Sequence, residues 1–193
     1  MKLKFGGQLI EPDVRRLYDL RDVAFDTAWF EAAADRDAYY MYRDLSLTPA
    51  DAATIRRHQL RYDITIIPPF NMGLASIKTY GHYHTRVNPK LRYTYPELYE
   101  VLEGDAHYLL QRAQSEHSVD EVILVKATRG EKVIVPLNYG HVTINPSQRT
   151  LRWPTGCAGR LIWSMSPTRS STVGRTMSSS KSDCCTTERI ITC

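Results

Sequence analysis

The segment Gly81-His82-Tyr83-His84 holds the sequence's sharpest chemical signal, two imidazoles separated by one residue. Residues two apart on an extended strand project to the same face, so His82 and His84 can serve one ion together. An isolated pair of this kind is weak evidence, and its partners carry the argument. Glu97 opens the run ELYEVLEG, which Gly104 ends at a turn. His141 follows the turn Pro136-Leu137-Asn138-Tyr139-Gly140, between the runs KVIVP and HVTIN. Three imidazoles and a carboxylate from separate strands make a mixed nitrogen and oxygen site with open positions. Such a donor set suits one divalent ion per chain, Fe, Mn, Ni, Co or Zn.

The elements that must position these donors are mostly strands. From Tyr62 onward come short apolar or alternating runs, DITIIP, LASIKTY, ELYEVLEG, AHYLLQ, EVILVKA and KVIVP, punctuated by Gly, Pro and Asn. That texture predicts a small barrel or sandwich. Upstream, Asp13 is expected to cap a helix through about Ala34, with Val14, Leu17, Leu20 and Val23 roughly on one face. Thr48 before Pro49 predicts a second short helix through Arg57. The expected fold is all-β dominated with N-terminal helices.

Composition narrows the function classes. A chain of 193 residues can hold one domain with a sizeable core. No run approaches the ~20 apolar residues of a membrane-spanning helix, so a membrane partner is not expected. The start, MKLKFGGQLIEPD, has no apolar stretch after its lysines, and the cytoplasm is the expected location. Residues 1–150 hold 19 Lys and Arg against 19 Asp and Glu, which leaves no basic stripe for a nucleic acid. The whole net charge of +4 falls after residue 150, as do all four cysteines, Cys157, Cys184, Cys185 and Cys193. A body without cysteine has neither a disulfide framework nor a thiolate metal site.

The last 43 residues hold 15 Ser or Thr and no Tyr or Phe, whereas all 12 Tyr precede them. If a single A is restored before the Trp153 codon, suitable codons read Met-Ala-Asn-Trp-Val-Cys, and Leu161 to Ser166 can read Asp-Leu-Val-Tyr-Glu-Pro. Residues 1–150 are therefore expected to form the domain and residues 151–193 an atypical tail. That tail is either out of frame from near Arg152 or a genuine low-complexity segment, and carries no core packing in either case.

Gly81 to Gly104 resembles the first cupin motif: a glycine, an HxH pair, then Glu with six residues before a Gly. Gly130 to Asn145 resembles the second, with Gly130, Pro136, His141 and Asn145 in register. Asn138 stands where that motif has Gly, and Asn also tolerates positive φ. Twelve residues, Thr85 to Pro96, separate His84 from Glu97, where the general motif has three or four. Glu100 is a rival on the opposite face of the same strand, and Glu103 shares the face of Glu97 but lies at the turn. Within the cupins the chain resembles the archaeal-type phosphoglucose isomerases over about residues 1–150. The phrases KFGGQLIEPDVRRLYDLRDV, IKTYGHYH, YPELYEVLEGDAHYLLQ and VIVPLNYGHVTIN carry that resemblance, and the shifted-frame reading resembles the family's continuation.

The resemblance implies a cupin fold (a double-stranded β-helix, jelly-roll-like barrel) and interconversion of glucose 6-phosphate and fructose 6-phosphate, in glycolysis and gluconeogenesis. It implies a metal held by His82, His84, Glu97 and His141, with iron the first expectation, and Glu97 as ligand, base or both. It implies a sugar-phosphate pocket at Thr65, Thr79, Gly81 and Tyr99, with Tyr39 or Tyr40 a weaker candidate, and a homodimer. Proton transfer through a cis-enediol and a metal-assisted hydride shift both stay open. So do two other classes: another metal-dependent cupin enzyme such as a dioxygenase, and a non-catalytic sugar-phosphate-binding cupin. His107 is expected to be a hydrogen-bonded barrel residue, and His58 and His117 exposed.

Overall fold

The computed structural model describes residues 1–158 apart from 88, 89, 92, 116 and 117. It is strand-dominated. The strands are β1 (Leu3–Phe5), β2 (Gln8–Ile10), β3 (Asp13–Arg16), β4 (Asp37–Tyr42), β5 (Leu60–Ile67), β6 (Asn71–Met72) and β7 (Ala75–Ser76), followed by β8 (Glu97–Glu100), β9 (Asp105–Ser115), β10 (Ser118–Thr128), β11 (Lys132–Val135), β12 (Tyr139–Ile144) and β13 (Leu151–Ala158). One antiparallel sheet runs β11-β8-β13-β5-β4-β3 and a second runs β10-β9-β12, with two small two-stranded ribbons beside them. No helix among the described residues is long and apolar enough to cross a membrane.

Alternation assigns the faces. Ile64 and Ile66 of β5 and Tyr42 of β4 turn outward and are buried beneath Leu3, Phe5 and Ile10 of the β1–β2 ribbon. The inner faces of β8 and β13 contribute Tyr99, Leu151 and Trp153 to the main core, where they join Tyr108 and Leu110 of β9. Gly104 makes the tight passage from β8 into β9. Its φ is +80°, and a Cβ there would meet the Thr150 carbonyl oxygen at 2.5 Å, so no other residue fits without moving backbone.

The N-terminal segment differs from expectation. Asp13 begins a strand rather than capping a long helix, and Val14 is 40% exposed. A 3-10 helix follows over Leu17–Val23, and α1 (Thr27–Ala32) is capped by the Asp26 side chain. The buried residues Leu17, Leu20 and Val23 are spaced by three, which suits the three residues per turn of a 3-10 helix as well as an α-helical face. The second helix, α2 (Pro49–Arg57), forms as read, with Thr48 and Asp51 in a reciprocal cap.

The C-terminal boundary also moves. β13 lies between β5 and β8, pairing Trp153 with Thr65 and Thr155 with both Asp63 and Tyr99. Trp153 is 3% exposed and Leu151 is fully buried. The packed domain thus runs through Ala158 and does not stop at residue 150. Inward alternation of Leu151, Trp153, Thr155 and Cys157 is the physical reason, and averaging composition over the whole tail concealed it. The strand fits its slot imperfectly. Pro154 brings no N–H to a central strand, and the Trp153 Nε1 is buried without a hydrogen-bond partner among the described residues. Leu161, Ile162, Trp163, Cys184, Cys185 and Cys193 lie outside the described residues.

A chain ended at Leu151 would leave β5 and β8 facing an empty slot. We expect it to lose cooperative thermal unfolding altogether. Trp153→Ala alone should cost about 3–5 kcal/mol, seen as a lower denaturant midpoint. An unchanged midpoint would show that β13 adds nothing to the core.

Candidate metal centre

The histidine pair does not lie on a regular strand. Residues 77–82 run alongside β12 as an irregular strip tied by isolated bridges, Lys78 opposite Ile144 and His82 opposite His141. Backbone bonds from Thr79 N to Thr143 O (2.8 Å) and from His141 N to His82 O (3.0 Å) fix its position. His141 therefore faces His82 directly, and His84 follows two residues on. The ring centroids of His82, His84 and His141 are 4.6 to 5.2 Å apart. Their ligand-capable nitrogens all lie within 4.8 Å of one another.

Glu97 enters from the other sheet. Its Oε2 stands 3.2 Å from His84 Nε2 and 3.5 Å from His141 Nε2. The Tyr99 hydroxyl lies 2.5 Å from Glu97 Oε2 and 2.6 Å from His141 Nε2, so one phenol fixes both groups. His84 Nδ1 is 2.7 Å from the Tyr95 carbonyl, which the long segment before Glu97 supplies. The turn before His141 is held to that segment as well: Asn138 N donates to Thr94 Oγ1 and Thr94 N to Asn138 Oδ1. Asn138 has φ +68°, the conformation that lets it stand in for glycine.

The electrostatics follow from burial. Burial pushes the Glu97 carboxyl up, but the His84 hydrogen bond and the neighbouring imidazoles outweigh it and hold it at about 2. Desolvation depresses His141 well below its ordinary value, and His82 to about 4 although it is exposed at the mouth. Burial also lowers His84, but Glu97 overcomes this and leaves it raised. Burial and the Glu97 charge drive the Tyr99 phenol well above its usual range. The site thus offers an ionised carboxylate, two imidazoles biased to the neutral form and a protonated phenol.

Against known proteins, the glucose-6-phosphate isomerase (GPI) family matches residues 14–154. The chain belongs to the glucose-6-phosphate isomerase family. Membership makes it an enzyme. A glucose-6-phosphate isomerase from Thermococcus litoralis is 26% identical over 153 residues, covering 77% of this chain and 72% of that protein. Among solved structures, an oxalate oxidase in complex with the substrate analogue glycolate is 11% identical with a TM-score of 0.44, covering 63% of this chain and 51% of that one. An oxalate decarboxylase from Lactobacillus farciminis is 16% identical with a TM-score of 0.43, covering 63% and 29%. The fold is strand-dominated, as expected.

A divalent ion suits this family member's donors. His141 Nδ1 is a buried nitrogen with no hydrogen-bond partner among the described residues, and the buried His84 Nε2 is aimed at the Glu97 carboxylate 3.2 Å away. Histidine binds metal as the neutral imidazole, which burial already favours at His141. Glu100 is turned away, paired with Lys132 at 3.3 Å, and Glu103 bridges to Arg152. Among the other anticipated residues, Thr65 sits half-buried on the inner face of β5, and Gly81 is buried with φ +79° immediately before His82. The Thr79 hydroxyl accepts from Thr143 N (3.0 Å), which helps set the strip's register. Tyr39 is buried and accepts from Tyr80 N, whereas Tyr40 bonds Asp37. His107 is half-exposed on β9, His58 is exposed at the end of α2, and His117 lies outside the described residues.

Sequence reasoning missed two features here. The bond from Tyr99 to His141 was hidden, although Tyr99 and Glu97 share a face by strand alternation. Cys157 was hidden too, because it pairs directly with Glu97 from a segment read as tail.

His82→Ala and His141→Ala should each drop metal content well below one ion per chain. Tyr99→Phe keeps every donor but frees Glu97 and His141, so metal affinity should weaken about 10- to 100-fold. Competition titration against a chelator measures both effects, and wild-type affinity in all three variants would remove the assignment.

Proposed function

We propose that the chain is a metal-dependent glucose-6-phosphate isomerase, holding one divalent ion through His82, His84, His141 and Glu97, with iron the first candidate. The observation that carries this reading is the Glu97 carboxylate, set against two imidazoles and a protonated phenol in a chain of this family. A bound ion would supply Lewis acidity to the sugar's C1 and C2 oxygens. Glu97 removes the proton from C2 of the aldose and returns it to C1, while a second proton passes between the two oxygens, giving the ketose. Tyr99 keeps its proton at neutral pH and donates to Glu97, which fixes the carboxylate's direction. Thr65, Thr79 and the backbone of Gly81 are assigned to the sugar phosphate. The same reading has the enzyme working in the cytoplasm in glycolysis and gluconeogenesis, as a homodimer. Ile134 (64% exposed) and Leu98 (45% exposed) offer an apolar outer face on neighbouring strands β11 and β8 for that contact.

The test is turnover of fructose 6-phosphate by metal-loaded and chelator-treated protein, with activity expected only in the former. Glu97→Gln should lower kcat by at least about 100-fold while changing sugar-phosphate affinity far less. If Glu100→Gln is the crippled variant instead, the base is wrongly assigned. In deuterated water, label should appear on carbon in the product. An absence of label would replace proton transfer by Glu97 with direct hydride passage from C2 to C1.

A further inference from the structure

Beyond the metal donors, the inner face of the six-stranded sheet carries arginine. Register places Arg61 opposite Cys157, and Cys157 opposite Glu97. Directly opposed residues in an antiparallel sheet share a face. Arg61 therefore stands on the same wall as Glu97, two strand spacings or roughly 10 Å away. On the next row inward, Asp63 aligns with Thr155 and Tyr99. Thr65 follows on the same face of β5.

The Arg61 side chain is 11% exposed and that of Asp63 is 9% exposed, with Arg61 Nη2 2.7 Å from Asp63 Oδ2. The other Asp63 oxygen accepts from Asp44 N at 3.0 Å. This carboxylate aims the guanidinium without saturating it, because Arg61 Nε is buried with no hydrogen-bond partner among the described residues. Arg15 Nε, on the neighbouring part of the wall, is in the same condition. A desolvated ion pair with an unused donor is a poor stabilising device. A forked donor set held by a carboxylate is well suited to a phosphate dianion.

We propose that Arg61, positioned by Asp63, is the phosphate anchor of the sugar-phosphate site. This rests on the isomerase reading for the identity of the ligand. The separation across the sheet lets the reacting carbons lie at the histidines while the phosphate lies at Arg61 and Thr65. Charge recognition then comes from the sheet that carries Glu97, and the histidines from the other side of the site.

The experiment uses the metal-loaded full chain. Fructose 6-phosphate and inorganic phosphate are titrated calorimetrically into wild type, Arg61→Met, Arg61→Lys and the double variant Arg61→Met with Asp63→Asn. The double variant leaves no unpaired buried charge and decides the matter if the single one does not fold. We expect affinity for both probes to fall at least about tenfold in the Met variants, with metal content at the wild-type level and partial recovery in Arg61→Lys. A folded, metal-replete double variant that binds both probes like wild type overturns the anchor. So does a variant that loses metal and phosphate together, since Arg61 would then be structural. If wild type binds phosphate through Arg61 but does not turn over fructose 6-phosphate, the isomerase reading fails and the anchor stands. Normal turnover and affinity without Arg61 remove the anchor and leave the isomerase reading standing.

Discussion

Glu97 is a carboxylate only 6% exposed, and a buried charge persists only where surrounding groups replace the water it has lost. Those groups come from separate elements: His84 from just beyond the irregular strip, His141 from β12, and Tyr99 from two residues along β8 itself. They meet only if both sheets hold their registers. A slip of one residue in β8 would replace Glu97 and Tyr99 with Leu98 and Glu100 on the inner face. The pairing of β8 with β11 on one side and β13 on the other is therefore a condition of the chemistry as well as of the fold.

The barrel interior divides accordingly. Beneath the imidazoles, Tyr99, Tyr108 and Trp153 pack ring against ring, with centroids 5.2 and 6.4 Å apart, above Leu151. Towards β5 and β3 the wall turns polar, with Arg15, Arg61, Asp63 and Thr65. An apolar floor lowers the dielectric around the site and strengthens every charge interaction there. It also accounts for the direction of the shifts at His82, His141 and Tyr99, each led by desolvation.

The donor set was legible because ligand spacing and strand alternation share a period of two. His82, His84, Glu97 and Tyr99 could be assigned faces from position alone, and Asn138 could be assigned its backbone conformation. What stayed hidden were properties of register and of competing periods. Spacing by three served a 3-10 helix at Leu17, Leu20 and Val23 where an α-helix was expected. β13 alternates inward and outward, but its Ser- and Thr-rich continuation masked eight residues that occupy the middle of a sheet. Nothing in local spacing singles out Arg61, because its row with Cys157 and Glu97 exists only once β5, β13 and β8 are paired.

The long segment between His84 and Glu97 closes on itself. Val87 N donates to Tyr93 O at 2.8 Å, Arg86 bridges Thr94, and Thr94 is clasped by Asn138. Whatever lies between Val87 and Tyr93 begins and ends at nearly the same place. Lengthening a loop of about four residues to one of twelve costs only about 1 kcal/mol in closure entropy. Extra residues between Val87 and Tyr93 therefore add little cost to the fold, because the flanking residues are already joined to each other and to the turn before His141.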